Sequence, residues 1–556
     1  MNVKKISFVS FAVLILLGLL PGNAKASGNS FSGLTGINQV TLYTNSTTGI
    51  LNSNLIGADG PGPYGHYPIA QMRAIGLKFV RLDVGFEDVY HGNPVYNCQN
   101  GQWNPSYFNQ AVSAVKKEGA TPLAIVDYTP DCLANSASGN LNYALPDKSG
   151  WTKWDDLVYQ MALKEIPNGV KIYEIWNEPD GIFFTGGVKG YLELYSNSVN
   201  ALEAAAKKLN SQIMVGGPGL SWWDPGWMQP FLKYVADNNL ALNFVSWHWY
   251  ADDPDVGPFP PDILNGLCLF KTPLINGAKA PCYYNPNLSA QIYNSEVGFV
   301  RSYLKPYPNL HPILWIDEWN ANAGFDERMN TSYDAAFSAA VLSSVSAQNN
   351  LRMCFYNEVD TPNDPDGNWG MVSYPAEKPK PVYWSFYFWH LMQGKMLKVY
   401  IKDQSPSYNL TTPNSGSIKV NSQVAVTATK SGKNYFVELT NFEPYDPTGN
   451  YGANKALYSQ FVTINLKDLP NSSYGIYEQK VTYSTVVPKF KYLGSLNSTS
   501  AKIKVDLPSE SVYLLKLVLE KTSSDQAIVI ASSLVGFVVI LALILVAVII
   551  IRRARR

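Results

Sequence analysis

Eight short apolar runs, separated by amphipathic stretches along residues 36–395, constrain this fold more than any other feature of the chain. They are Gln39–Tyr43, Phe79–Val84, Pro122–Val126, Val170–Trp176, Ile213–Gly216, Phe244–Trp249, Ile313–Ile316 and Met353–Tyr356. Each has strand length. Between the fourth and fifth, Leu192, Tyr195, Val199, Leu202, Ala206 and Leu209 recur at the spacing of one helix face. Asp334–Val345, rich in Ala with Phe337, Val341 and Leu342, reads as another helix. Strands alternating with helices in this way predict a (β/α)8 TIM barrel. A doubly wound open sheet would want a Gly-rich phosphate turn after its first strand, and the sequence has none there.

After Gly394 the helical periodicity stops. Val420–Lys430, Tyr435–Thr440, Phe461–Leu466, Tyr477–Tyr483 and Val512–Leu517 alternate as strands, with Ser431-Gly432-Lys433 a plausible hairpin turn. The expected division is a barrel over residues 27–395, a β-sandwich over 396–520 and a polar stalk over 521–526. Residues 1–26 carry Lys4 and Lys5, an apolar run from Ile6 to Leu20 and Ala24-Lys25-Ala26, the pattern of a secretory signal peptide. Ala527–Ile551 lacks any charge and precedes Arg552, Arg553, Arg555 and Arg556. That run predicts a single C-terminal transmembrane helix, with 552–556 as a cytoplasmic basic tail and the remainder extracellular.

The formal charge is zero for the whole chain, but seven of its 43 basic residues lie in those two ends and none of its 43 acids does. The intervening body is therefore mildly acidic, and no basic cluster suggests a nucleic-acid partner. Five cysteines fit an exported protein. Cys98 pairs with Cys132 and Cys268 with Cys282 on this reading, while Cys354, inside an apolar run, is a free core thiol. Asn45, Asn287, Asn330, Asn409, Asn471 and Asn497 head N-x-S/T sequons and are candidate glycosylation sites. The acid-rich loops Asp252–Asp255 and Asp360–Asp366 lack EF-hand spacing, so no metal and no cofactor are expected.

Two glutamates carry the chemistry. Glu178 ends the run Ile172-Tyr-Glu-Ile-Trp-Asn-Glu-Pro, and Glu318 ends Ile313-Leu-Trp-Ile-Asp-Glu. In a barrel both would reach the C-terminal rim, where active sites form. Two converging carboxyls can protonate a glycosidic oxygen and attack or stabilise the anomeric carbon. Alone, Asn177-Glu178-Pro179 could equally be a helix-start signal, Arg81 a surface partner of Asp83 or Glu87, and His248 a core histidine.

Trp176-Asn177-Glu178-Pro179-Asp180 resembles the acid/base signature of clan A glycoside hydrolases, which are retaining (β/α)8 enzymes, and Ile316-Asp317-Glu318-Trp319 resembles their nucleophile strand. Similarity to family 39, the β-xylosidase and α-iduronidase family, is carried by further segments. These are Tyr173-Glu174, Val215-Gly216-Gly217-Pro218, Phe244-Val-Ser-Trp-His-Trp-Tyr250 and a C-terminal sandwich ending Ser511-Val-Tyr-Leu-Leu515. The resemblance implies that Glu178 is the acid/base and Glu318 the nucleophile, kept ionised by Arg81. It implies that Asn177 holds the sugar 2-hydroxyl, Tyr250 sits against Glu318 and His248 against substrate. Trp222, Trp223 and Trp227 cluster after the fifth strand as candidate sugar platforms. Clan members often place a Trp on strand eight and a His on strand three. Here those positions read Phe355-Tyr356-Asn357-Glu358 and Asp127-Tyr128, and Trp369 is the expected substitute. The function implied is a membrane-anchored extracellular β-glycoside hydrolase acting on glucan, xylan or mannan by double displacement. The alternatives are an exo-acting β-xylosidase or β-glucosidase, or a non-catalytic glycan-binding surface protein.

Overall fold

The computed structural model describes residues 36–60, 66–86, 95–98, 100–135, 143–250, 268–271, 282–284, 290, 292–323, 327–361, 368–403, 407–411, 417–421, 424–442, 459–483, 487–497 and 499–520. Eight parallel strands close into a barrel: β1 (Gly57–Asp59), β2 (Phe79–Asp83), β3 (Thr121–Val126), β4 (Ile172–Ile175), β5 (Met214–Leu220), β6 (Phe244–Tyr250), β7 (Ile313–Asn320) and β8 (Leu351–Phe355). Helices α1 (Ile69–Ile75), α2 (Ser106–Glu118), α3 (Trp151–Asn168), α4 (Gly187–Lys208), α5 (Pro225–Asp237), α6 (Ile292–Leu304), α7 (Ser332–Val345) and α8 (Pro381–Leu391) follow the strands in turn. The strands are apolar throughout because helices cover one face and barrel-interior side chains fill the other. On α4 the buried stripe is Tyr191, Leu194, Tyr195, Val199, Leu202 and Ala205–Ala206, the helical repeat that the sequence showed, with Leu192 and Leu209 at its margin.

The expected first strand is the main error of register. Gly36–Ile50 does not enter the barrel; it pairs antiparallel with Lys395–Asp403 and parallel with Gln460–Lys467. Its burial explains why: Val40 and Leu42 are buried, whereas Ile37, Gln39 and Tyr43 face outward. Period-two alternation belongs to a sheet with one covered face, not to a strand buried on both. The true first strand is three residues long. Gly57 is obligatory there, since a Cβ at this position would lie 2.3 Å from the Met353 carbonyl oxygen on β8.

The long N-terminal strand joins a nine-stranded mixed sheet. Its order is Lys491–Leu496, Tyr474–Val481, Ser511–Leu519, Asn434–Asn441, Val424–Ser431, Lys395–Asp403, Gly36–Ile50, Gln460–Lys467 and Ala501–Leu507. Val40, Leu42, Ile464 and Val505 share one core with Val437, Leu439, Leu515 and Leu517. The opposite face of the central strands presents Phe436, Phe442, Val512 and Leu514 to the barrel. Helix α7 is caught between the two and is buried on nearly every side, with Phe442 against the rings of Tyr333 and Phe337. A helix apolar all round has to be covered all round.

Among the described residues no helix is long and apolar enough to cross a membrane. This corrects the expected fold class, which added a single transmembrane helix, and the expected single-pass location in the cell membrane with an extracellular catalytic domain. Residues 527–551, which prompted that expectation, lie outside the described residues, as do 1–26, 521–526 and 552–556. Cys98 and Cys132 form a disulfide with Cα atoms 5.6 Å apart, and Cys354 is a buried free thiol. Cys268 and Cys282 lie on a short two-stranded ladder whose side chains lie outside the description. Asn45, Asn330, Asn471 and Asn497 are exposed; Asn287 and the Asn409 side chain are not described.

Candidate active site

The site is assembled at the C-terminal ends of the barrel strands around one buried cation. Arg81, on β2, is 2% exposed. Its Nε donates to Glu174 Oε2 at 2.7 Å, and its Nη1 to Asp59 Oδ2 at 2.9 Å and Glu318 Oε2 at 3.0 Å. Nη2 donates to Asn177 Oδ1 at 2.8 Å. The planar fork of a guanidinium can serve four acceptors at once, which an ammonium cannot. Arg81 thus fixes β1, β2, the β4 motif and β7 relative to one another.

His248 is fully buried on β6. Its Nδ1 lies 2.8 Å from Glu178 Oε1 and 3.5 Å from Glu318 Oε2. Potential ligand atoms of Glu178, His248 and Glu318 all fall within 4.8 Å of one another. These three are also the group among the described residues that could hold a metal ion, but Arg81 already places a fixed positive charge on the same Glu318 oxygen. Tyr250, two residues further along β6, donates its hydroxyl to Glu318 Oε1. Successive inward positions of one strand therefore contact both carboxyls.

The turn that carries Glu178 is strained. Trp176 has φ 72° and Glu178 φ 42°, both in the left-handed region that side chains disfavour. Such residues cost on the order of 1–3 kcal/mol each and persist only where neighbours over-determine them. Here the Trp176 indole donates to the Phe183 carbonyl at 2.9 Å, and the Glu178 amide donates to the Gly219 carbonyl at 2.8 Å. Gly219 itself has φ 59°, and a Cβ there would lie 2.8 Å from Glu174 Oε1. This is a physical reason for the Gly-rich segment on β5. Ser246 completes the support, donating to Glu174 while accepting from the Gly219 amide.

Burial pushes the Glu318 carboxyl above its usual range, and the Glu178 charge acts in the same direction. A charged His248 would pull it back down, and the Arg81 charge and the Tyr250 hydroxyl do so. Burial lowers His248 to about 4, so the imidazole is neutral at neutral pH. Burial and the Glu174 charge raise Asp317 well above an ordinary aspartate, and burial does the same to Asp59. Burial alone would raise Glu174, but the Arg81 charge together with the hydrogen bonds from Asp317 and Ser246 holds it below its usual value. One cation, Arg81, thus faces four carboxyls, Asp59, Glu174, Asp317 and Glu318, and protons must remain on some of them.

The expected residues divide. Glu178, Glu318, Asn177, Arg81 and Tyr250 come together, with Tyr250 against Glu318 as anticipated. His248 does so differently: being fully buried, it bridges the two carboxyls instead of facing substrate. Trp222 is partly exposed at the rim, but Trp223 is fully buried, stacked on Phe299 and packed on Trp249, and so is core. Trp227 packs against Tyr191. Trp369 is 7% exposed and lies behind the Tyr356 ring, which is itself beside Tyr250. Tyr356, just past the end of β8, thus lies between Tyr250 and Trp369, the expected substitute for a strand-eight Trp. Missing from the expected set were Asp59, Asp317 and Tyr128, and Glu174, quoted in a motif, had no role. An acid inside an apolar strand, as in Ile172-Tyr-Glu-Ile, was the available signal.

Residues 65–260 match the family model described as Glycosyl hydrolases family 39. A curated beta-xylosidase of Caldicellulosiruptor saccharolyticus is 26% identical over 197 residues, 32% of this chain and 39% of the relative. A beta-xylosidase of Geobacillus stearothermophilus is 22% identical over 365 residues, 60% of this chain and 65% of the relative. The chain thus spans less than two thirds of the length of either curated relative. A monomeric beta-xylosidase of Caulobacter crescentus superposes with a TM-score of 0.66 at 18% identity, over 87% of this chain and 100% of that one. Together these findings support a glycoside hydrolase similar to family 39.

Proposed function

We propose that this family-39-like glycoside hydrolase cleaves β-linked sugars with retention of configuration, with β-xylosides as the first substrate class to test. The observation that carries the reading is the separation of the carboxyls: oxygens of Glu178 and Glu318 approach within 4.8 Å, with His248 between them. Retaining enzymes hold the pair about 5–5.5 Å apart, whereas inverting ones leave roughly 6.5–9.5 Å for a water. Xylosides come first because both curated relatives carry that name.

The two carboxyls are inequivalent in a way that suits the two roles. Arg81 and Tyr250 both donate to Glu318, so negative charge is favoured there. Glu318 attacks the anomeric carbon while Glu178 gives its proton to the departing oxygen, leaving a glycosyl ester on Glu318. Glu178, now a carboxylate, takes a proton from water, and the hydroxide attacks the anomeric carbon opposite the ester, from the face the leaving group vacated, releasing Glu318. Asn177, oriented by Arg81 Nη2, has its amide directed by Tyr128 and is placed to hold the 2-hydroxyl as the oxocarbenium develops. Proton NMR of the first-formed product tests this: the β anomer is expected, and initial α anomer would exclude it.

A further inference from the structure

The proposed mechanism does not use Asp180, the last residue of the motif, yet its carboxyl is partly buried two positions beyond Glu178 and is fully engaged. Oδ1 accepts from the Ser221 amide at 2.9 Å, and Oδ2 from the Ser221 hydroxyl at 2.9 Å. Ser221 immediately follows β5, two residues after Gly219, whose carbonyl holds the Glu178 amide. The loops after β4 and β5 are therefore joined by two rungs, Glu178 to Gly219 and Asp180 to Ser221. Between the rungs lies backbone that would not keep its shape unaided, since Glu178 stands at φ 42°; the Gly181 amide donates to the Glu178 carbonyl at 3.0 Å and closes the turn.

We propose that Asp180 is a positioning residue: by gripping Ser221 through two hydrogen bonds it holds the strained turn in which Glu178 reaches the leaving-group oxygen. This deepens the hydrolase reading above and rests on it. The hydrogen bonds, and not the charge, do the positioning. Burial and the neighbouring Glu178 charge push Asp180 up to about 7, and the Ser221 bonds oppose the shift. An asparagine would preserve the grip, because its carbonyl can accept from the Ser221 amide while its NH2 donates to the rotatable Ser221 hydroxyl.

The prediction separates positioning from folding by leaving group. A 2,4-dinitrophenyl leaving group departs without a proton, whereas the second sugar of xylobiose needs one. Since kcat/KM reports the first chemical step, Asp180→Ala should lower kcat/KM for xylobiose by about 10- to 100-fold. For 2,4-dinitrophenyl β-xyloside it should stay within about threefold of the parent, with no acid catalysis to lose. Asp180→Asn should stay near the parent on both. Equal loss on both substrates in the Ala variant, no loss on either, or an Asn variant as impaired as the Ala variant would each overturn the proposal. A parent enzyme that cleaves neither substrate would instead overturn the xyloside-hydrolase reading on which it rests.

Discussion

Glu318 and Glu438 are both buried glutamates on strands, and they meet opposite fates. Glu318, at the barrel rim, receives hydrogen bonds from Arg81 and Tyr250 and lies beside His248. Glu438, 1% exposed on Asn434–Asn441, faces the barrel from the nine-stranded sheet between Phe436 and Phe442, and its carboxyl oxygens have no hydrogen-bond partner among the described residues. Burial raises both, but Glu438 has nothing to offset it and rises to about 8. A buried carboxyl is prepared for ionic chemistry only where donors surround it. Burial alone produces a neutral acid.

The largest test of that contrast is Glu318→Gln, which preserves shape and removes the nucleophile; turnover should fall on the order of 10⁴-fold or more with the fold intact by circular dichroism. A variant that retained a tenth of the parent rate would place the chemistry elsewhere. Arg81→Met comes next. It strips the cation from Asp59, Glu174 and Glu318 together, and losing one side of a buried ionic network costs about 3–5 kcal/mol in urea unfolding. An unchanged midpoint would show that the carboxyls do not depend on Arg81. Removing Cys98–Cys132 by double Ala substitution touches neither carboxyl. It should cost about 2–4 kcal/mol through the freed 34-residue loop while leaving kcat/KM unchanged.

A remaining effect concerns Glu438 and depends on pH. Its folded value near 8 lies above the ordinary 4.5, so the folded chain keeps a proton that the unfolded chain releases between these values. Stability is therefore lost as pH rises from about 4.5 to 8, and Glu438→Gln should remove that slope. The variant's thermal midpoint should exceed the parent's at pH 8.5 by more than at pH 5. Equal differences at both would mean that Glu438 has a partner.

Seven of the eight barrel strands were legible because each is an apolar run of strand length, and the (β/α)8 order followed from their number. The first was not: Gly57-Ala58-Asp59 is too short to carry a period, while Gln39–Tyr43 has one and belongs to the other sheet. The two glutamates and their motifs stood out because they end such runs. Asp59, Glu174 and Asp317 stayed without roles because a sequence gives no distances, and their importance comes from a single guanidinium reaching across the barrel. Trp223 shows the converse limit. Next to Trp222 in sequence, it was read as a sugar platform, yet only the three-dimensional path of the β5 loop turns one ring to the rim and the other into the core.

The central claim, that Glu318 is the nucleophile and Glu178 its acid partner, is tested most directly by trapping the intermediate. The protein would be incubated with an activated 2-deoxy-2-fluoro β-xyloside, digested and sequenced by mass spectrometry. The account predicts one glycosyl adduct per chain, on the peptide containing Glu318 and absent from Glu318→Gln. An adduct on Glu178, or none from an enzyme that turns over the parent xyloside, would contradict it.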